Sequence, residues 1–271
     1  MKENIFYNLV INNILNVIDK EFKKPKSYYK IKYSNEYYLK HIMFMLNDIN
    51  KWSSLRLLKT YDSNMMYHYK TIYNKFRLWT QHDIFNKAFL QIIPTHKEIK
   101  IKDLFIDNTF IYNKYGSEDL SRCTDNMKKR TTKVVALVDK NKYIYSLSSI
   151  KIPFNKKAVH DTKTIQTAID NINKNIKLNR IRLIGDKGFI TKNKFKFNNN
   201  TVKLITPKRK NQKTKNTKFE MNKLKQRHKI ENLFCFLKKD ERVILRKDRS
   251  IKTFMSFLYI SAMKHNIKLN L

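Results

Sequence analysis

Acidic residues are scarce in this sequence of 271 residues, which contains 22 Asp and Glu against 58 Lys and Arg. The formal net charge of +36 favours a polyanionic partner, with nucleic acid as the first candidate and an anionic membrane as the second. Abundant Lys, Asn, Ile and Tyr, which all have A/T-rich codons, indicate a codon bias that also raises the charge. Such a bias does not explain where the few acids stand.

Cysteines are also few, since Cys123 and Cys235 are the only two. There is no CxxC pair and no His spacing typical of zinc, so neither a disulfide framework nor a zinc module is expected, and a reducing compartment is the default. Long apolar runs are absent as well. The run from Ile5 to Ile18 is interrupted by four asparagines, which makes it too polar to span a bilayer, and it has no small-residue cleavage site. We therefore expect an intracellular protein located with its DNA and not bound to a membrane.

Apolar residues make up 41% of the chain and aromatics 13%, enough for a folded core. Up to residue 99 they recur at helical spacing, without an internal repeat. Helices are predicted over residues 1–24, 36–49, 69–79 and 84–93. The stripe of Tyr69, Ile72, Phe76 and Trp79 is better explained as helix core than as a base-stacking platform. On the other face of that helix, three cations are candidate phosphate contacts for a helix-turn-helix-like module: Lys70, Lys75 and Arg77.

From residue 100 the pattern changes to that of strands alternating with helices, which predicts an α/β sheet with helices on its faces. Strand-like runs occupy 101–106, 109–112, 133–138, 143–152, 180–184 and 202–205, the first of them ending at Asp107. Helices are predicted over 161–176, near 191–196, over 224–239 and over 250–268. Segment 208–218 contains six cations and no acid, so it is expected to be a mobile basic loop. Lys208, Arg209 and Lys210 in this loop either follow a DNA backbone or are merely solvated.

Three acids are placed where a metal site would form. Asp107 and Asp186 each end a predicted strand, and ligands bind at the carboxyl ends of sheet strands. Either Asp alone is better explained as a turn residue or cap. Glu231 lies on the predicted central helix. At a rotation of ~100° per residue about the helix axis, Arg227 and Lys238 lie within roughly 40° of it. In an isolated helix this pattern would indicate a surface ion-pair ladder. Three neighbouring carboxylates repel one another unless a cation lies between them. Hard oxygen ligands suit Mg²⁺ or Mn²⁺, and two such ions ~3.5–4 Å apart support phosphodiester chemistry.

Several motifs resemble those of DDE transposases of bacterial insertion sequences, in particular the insertion-sequence-five group. Asp107-Asn108-Thr109 corresponds to D-x-T, and Gly185-Asp186-Lys187-Gly188-Phe189 to A-D-K-G-Y. Arg227, Glu231 and Lys238 keep the family spacing of R, E and K, while Leu224 stands where the family has Tyr. The resemblance extends over roughly residues 38–268.

The resemblance implies a ribonuclease H-like mixed sheet with flanking helices, preceded by an all-helical region. Residues 1–99 would bind the transposon ends and residues 100–271 would form the catalytic domain. Asp107, Asp186 and Glu231 would bind two Mg²⁺ ions, for which Mn²⁺ can substitute, and Arg227 and Lys238 would contact DNA.

Four further residues would be accessory: Thr109, Lys187, His160 and Asp161. The last two could join the metal site, but Asp161 is equally well explained as a helix N-cap. The partners would be double-stranded DNA, as terminal inverted repeats and target, and a second copy of the chain on that DNA. The location would be a prokaryotic cytoplasm, or the nucleus or viral factory of a eukaryotic or viral carrier. Two alternatives stay open: a transposase-derived DNA-binding protein without catalysis, and a metal-dependent endonuclease without strand transfer.

Overall fold

The computed structural model describes residues 2–22, 33–47, 51–57, 69–93, 103–118, 120–122, 130–150, 159–176, 181–209, 211 and 214–270. Parts of several predicted elements, including 23–24, 48–49, 101–102 and 151–152, lie outside these residues, as do Cys123 and Lys210. No helix in the described ranges combines the length and the apolar character needed to cross a membrane.

The four helices predicted before residue 99 are all present. They are α1 (Lys2–Glu21), α2 (Asn35–Asn47), α3 (Tyr69–Gln81) and α4 (Ile84–Ile92), with a 3-10 turn over Trp52–Leu57. Ile72, Phe76 and Trp79 are buried, so the aromatic stripe of α3 is helix core, as predicted.

The first strands form the predicted antiparallel meander. They are β1 (Asp103–Asn113), the short β2 (Ser121–Arg122), β3 (Arg130–Val138) and β4 (Ile144–Ser149), and β3 pairs antiparallel with the other three. Two separate short strands were expected before residue 113, and this was wrong. Because β3 pairs with β1 from Phe105 to Tyr112, β1 continues through Asp107 instead of ending there.

The chain then crosses to the other half of the sheet. A 3-10 turn over Asp161–Lys163 leads into α5 (Thr164–Asp170), which is shorter than the predicted helix. Next come β5 (Arg182–Ile184), a 3-10 turn over Lys187–Phe189, β6 (Phe195–Phe197) and β7 (Asn200–Ile205). β5 is parallel to both β1 and β7, and the strand order is β2-β3-β1-β5-β7-β6.

The helix predicted near 191–196 is wrong, because Phe195 and Phe197 belong to a hairpin between β6 and β7. Asn198 and Asn199 connect these strands with φ angles of 46° and 66°. Positive φ at both central residues is what a two-residue hairpin turn of type I′ requires, and Asn tolerates it.

Four elements and a short strand complete the chain: α6 (Lys218–Lys225), α7 (His228–Leu237), α8 (Glu241–Ile244), β8 (Leu245–Arg246) and α9 (Ile251–Leu269). The single helix predicted over 224–239 is therefore two helices. At the junction the amides of Gln226 and Arg227 bond to carbonyls three residues back, which tightens the backbone locally. The apolar face predicted for this segment is buried in α7, at Ile230, Leu233, Phe234 and Leu237.

The N-terminal helices and the C-terminal helices share one hydrophobic core. α9 packs against α1, α3 and α4, and the Phe257 ring lies 4.8 Å from that of Phe76 and 6.1 Å from that of Trp52. Arg242 of α8 is buried and donates from Nε to the carbonyl of Met45 in α2. The predicted fold class, a mixed sheet with flanking helices after an all-helical N-terminal region, is confirmed. The functional division at residue 99 stays a prediction.

Candidate functional site

Asp107 lies within β1, and Asp186 follows the end of the neighbouring parallel strand β5. The pairing of β1 with β5 matches Leu104 to Leu183 and Phe105 to Ile184. Asp107 and Asp186 each lie two residues beyond these last paired residues. Asp107 is inside β1, but β5 has ended at Ile184, so both acids stand at the carboxyl edge of this pair of strands.

Backbone amides hold both carboxylates from within the motif. Asp107 Oδ1 accepts from the amide of Asn108 at 2.9 Å, and Asp186 Oδ1 accepts from the amide of Gly188 at 2.7 Å. Asp186 thereby caps the 3-10 turn over Lys187–Phe189, and Lys187 in this turn is exposed. Both aspartates remain partly accessible, as residues that contact a ligand must be.

Helix α7 is joined to β1 next to Asp107. Lys238, the C-cap residue of α7, donates from Nζ to Thr109 Oγ1 at 2.9 Å. Side chains alternate along a strand, so Asp107 and Thr109 share the face of β1 on which α7 packs. The sequence-predicted Thr109 and Lys238 are therefore brought together beside Asp107.

Glu231 lies in the first turn of α7, seven residues before Lys238. Seven residues at ~100° each come within ~20° of two full turns, so the backbone positions of the two residues share one side of the helix. The Glu231 side chain lies outside the described part of the structure. Arg227 is the N-cap residue of α7 and is partly buried.

Partial burial distinguishes Lys238 from an ordinary surface lysine. Burial lowers the pKa of the Lys238 ammonium from its ordinary value, and the nearby Cys235 opposes the shift. Its neighbour Lys239 is exposed and lies 5.1 Å from the centre of the Phe236 ring.

The structure assigns His160 and Asp161 different roles from those expected. His160 is the N-cap: its Nδ1 accepts from the amide of Thr162 at 3.3 Å, so the N-cap interpretation of Asp161 was wrong. Asp161 Oδ1 instead accepts from Asn108 Nδ2 at 2.8 Å and forms an ion pair with the buried Lys133. Asn108 is one residue from Asp107 and points to the opposite face of β1.

The basic residues predicted to bind DNA lie on different elements of the fold. Lys208 and Arg209 are exposed, and their segment is fixed by Asn216, which accepts from the Lys208 amide at 2.9 Å and donates to the Thr206 carbonyl at 3.1 Å. On α3, Lys70 and Arg77 are exposed. Lys75 is less free than predicted, because its ammonium lies 5.8 Å from the ring centres of both Tyr38 and Trp79.

The donor set has the chemistry of a site for a hard divalent cation. Asp107 and Asp186 supply carboxylate oxygens, and Glu231 of α7 would supply those of a third acid. Among the side chains that the structure describes, no three His, Cys, Asp or Glu residues form a group able to hold a metal; Glu231 is not among those side chains.

Sequence analysis did not predict three features near the acids. They are the contacts of Asn108 and of Lys133 with Asp161, and the close approach of Asp161 to Gly188. Lys133 begins a run of apolar strand residues, and nothing in that run marks its ammonium as buried. Asn108 lies within the D-x-T motif at the variable position. Only the glycine at 188 was a signal, since glycine permits another group to approach the backbone closely.

Residues 99–264, more than half of the chain, match the family described as the transposase DDE domain. A search of curated proteins found no match. Among solved structures, the chain is similar to piggyBac transposase in a cryo-EM synaptic complex with hairpin DNA, at 15% identity and a TM-score of 0.41. That similarity covers 77% of this chain and 51% of the piggyBac chain, so this chain spans about half the length of its structural neighbour. From this family match, the chain belongs to the DDE transposases.

Proposed function

We propose that this protein is an enzyme that cleaves DNA at transposon ends and joins the resulting 3′-hydroxyl to target DNA. Asp107, Asp186 and Glu231 are its catalytic carboxylates and bind two Mg²⁺ ions, with Mn²⁺ as a substitute. The observation that supports this most directly is the parallel pairing of β1 with β5, because Asp107 and Asp186 each lie two residues beyond the last pair, Phe105 and Ile184. The family match supports the reaction class.

Each residue has a distinct part in this proposal. The bound ions supply Lewis-acid activation of the attacking hydroxyl and stabilisation of the leaving oxygen. The three carboxylates hold those ions, and their separate origins on β1, after β5 and on α7 make the site depend on how the helix packs on the sheet. Lys238 and Arg227 orient the DNA end by contacting its phosphates, and Thr109 positions the Lys238 ammonium. Lys187 contacts the backbone from the turn after Asp186.

Cations outside the catalytic residues bind the phosphates of the DNA. With a net charge of +36, the protein binds double-stranded DNA through phosphates, and the basic segment at Lys208, Arg209 and Lys210 follows the backbone near the site. Lys70, Lys75 and Arg77 of α3 contribute to binding of the terminal inverted repeats by residues 1–99. Two copies assemble on the DNA, wherever in the cell that DNA is held.

The decisive experiment separates DNA binding from chemistry on DNA that contains the element's own ends. Glu231→Gln, Asp107→Asn and Asp186→Asn each keep the size of the side chain and remove its charge. We expect retention on a gel to persist, and cleavage with Mg²⁺ or Mn²⁺ to fall by at least ~10²-fold, the scale of losing one electrostatic contact. Pairs of these substitutions should be scarcely worse than single ones, because the ligands act as a unit.

The matched control is Asp170→Asn. Asp170 is an exposed residue of α5 and is not among the residues of the candidate site. This variant should cleave like the wild type. A wild-type protein that binds its ends without cleaving them under either metal would favour the DNA-binding alternative. Cleavage without joining would favour the endonuclease, and equal cleavage by all three variants would exclude these acids from the chemistry.

A further inference from the structure

Asp161 contacts the residue that follows Asp107 and approaches the glycine two residues after Asp186. On one side its Oδ1 accepts from the side-chain Nδ2 of Asn108 at 2.8 Å. The backbone amide of Asn108 in turn donates to Asp107 Oδ1 at 2.9 Å. On the other side it approaches Gly188, whose amide donates to Asp186 Oδ1 at 2.7 Å. One carboxylate thus contacts both motifs.

A buried cation fixes that carboxylate. Lys133 is 2% exposed, forms an ion pair with Asp161 Oδ1 and donates to the carbonyl of Val159 at 2.8 Å. Its ammonium also lies 5.4 Å from the centre of the Phe110 ring. A buried ammonium with these partners cannot move without losing them, and the hydroxyl of Thr164 holds the Asp161 carbonyl at 2.7 Å. Asp161 is therefore fixed at both its side chain and its backbone.

The approach at Gly188 leaves no room for a side chain. A Cβ at this position would lie 2.3 Å from Asp161 Oδ2 and 3.0 Å from Asp186 Oδ1. Within the described residues no glycine has positive φ, so glycine is required here by the close contact and not by backbone conformation. The turn that positions Asp186 is packed directly on the Asp161 carboxylate.

We propose that Asp161 is a positioning residue for the two catalytic aspartates and not a third or fourth metal ligand. Its Oδ1 is occupied by Lys133 and Asn108, on the opposite face of β1 from Asp107 and Thr109. Through Asn108 and Gly188 it sets the relative position of Asp107 and Asp186. This role rests on the proposed function, since it concerns the same two carboxylates.

The test is a double-mutant cycle between residues 188 and 161. Gly188→Ala should weaken Mn²⁺ binding, measured by calorimetry, and lower single-turnover cleavage by about tenfold to 10²-fold, because a displacement of ~1 Å at a catalytic group costs this much. Retention of DNA on a gel should be unchanged. Asp161→Ala alone should also lower cleavage, and in its background Gly188→Ala should cost less than about threefold, because the obstructing carboxylate is gone.

Two controls make the cycle specific. Asp161→Asn keeps the volume beside Gly188, so Gly188→Ala should stay harmful in that background. Gly185→Ala meets Phe189 and Ile106 instead of Asp161, and its effect should be the same with and without Asp161→Ala. If the Asp161→Ala protein fails to fold because its buried Lys133 ammonium has lost its partner carboxylate, Lys133→Met combined with Asp161→Ala provides a background without the unpaired buried cation.

The outcomes distinguish this inference from the proposed function. Mn²⁺ binding with full coupling between 188 and 161, but no cleavage by the wild type, would support the positioning role and overturn the catalytic proposal. Normal cleavage with additive effects at 188 and 161 would overturn the positioning role alone. A wild-type protein that binds no Mn²⁺ would overturn both.

Discussion

Lys238 Nζ donates a hydrogen bond to Thr109 Oγ1 across 129 positions of sequence, joining the end of α7 to β1 two residues beyond Asp107. This contact links the helix that contains Glu231 to the strand that contains the first aspartate. The proposed role of Glu231 requires it to share this side of α7 with Lys238, and a spacing of seven residues places the two backbone positions there.

Replacement of Lys238 by Met should therefore reduce cleavage while sparing the fold. Met retains the aliphatic length that packs beside β1 but loses the donor to Thr109 and the charge proposed to contact DNA. We expect a loss of about 10²-fold in cleavage, the scale of one electrostatic contact, with little change in the urea midpoint. Lys239→Met is the matched control, since that neighbouring cation is exposed and contacts Phe236. Equal losses in the two variants would show that only net charge matters.

The salt dependence of DNA binding tests the basic segment after β7. Each phosphate neutralised contributes about −0.9 to the slope of log K against log salt concentration. Replacing Lys208, Arg209 and Lys210 by Gln should flatten that slope without changing the preference between sequences. The same change of charge at three exposed lysines of α1 and α9 (Lys20, Lys252 and Lys268) is the control. A loss of sequence preference would instead assign this segment to base recognition.

Sequence reasoning predicted what depends on local patterns. The N-terminal helices, the buried faces of α3 and α7, and the meander all follow from periodicity and motif order. It was wrong where pairing between distant segments decides the outcome. β1 continues through Asp107 because β3 pairs along it, and Phe195 and Phe197 form a strand because Asn198 and Asn199 complete a hairpin.

The interior of the site was less accessible to sequence reasoning. The alternation of apolar Phe195 and Phe197 with the polar Lys196 was a sequence signal for a strand, which the helix prediction overlooked. In the structure the two Phe side chains are buried and Lys196 is exposed. In contrast, no local pattern pairs Lys133 with Asp161, 28 residues away, or places that carboxylate against Gly188. Such contacts depend on the three-dimensional arrangement of two turns around β1.

The shared core predicts that the N-terminal helices and the sheet domain unfold together. Both tryptophans, Trp52 and Trp79, lie in the N-terminal helical region, so their fluorescence reports on that region while far-UV circular dichroism reports on the whole chain. We expect coincident urea transitions by the two probes. Phe257→Leu, which removes ring contacts with Phe76 and Trp52, should lower both midpoints equally.

Phe44→Leu is the control for that substitution, because Phe44 is 43% exposed and its replacement should change stability by less than ~0.5 kcal/mol. Separate transitions, or a Phe257→Leu effect confined to fluorescence, would show that residues 1–99 fold as an independent unit.

His265 gives the folded protein a defined loss of stability toward acid. Burial lowers the pKa of the His265 imidazole below its ordinary value of 6.5; the hydrogen bond to the Lys142 carbonyl opposes the shift, and the charges of Lys142 and Lys268 add to it. The unfolded chain therefore binds a proton near pH 6.5 that the folded chain resists, so unfolding becomes more favourable as the pH falls through this value. The loss stops growing below the folded pKa, where both states are protonated.

His265→Gln isolates this effect, because Gln retains an amide donor for the Lys142 carbonyl, which lies 3.0 Å from His265 Nε2, and does not titrate. Urea midpoints of the two proteins should be compared at intervals from pH 7.5 to 5. The midpoint of the wild type should fall relative to that of His265→Gln as the pH drops below about 6.5, since all other groups titrate alike in both proteins. A constant difference across the whole range would mean that the imidazole titrates in the folded protein as it does in the unfolded chain.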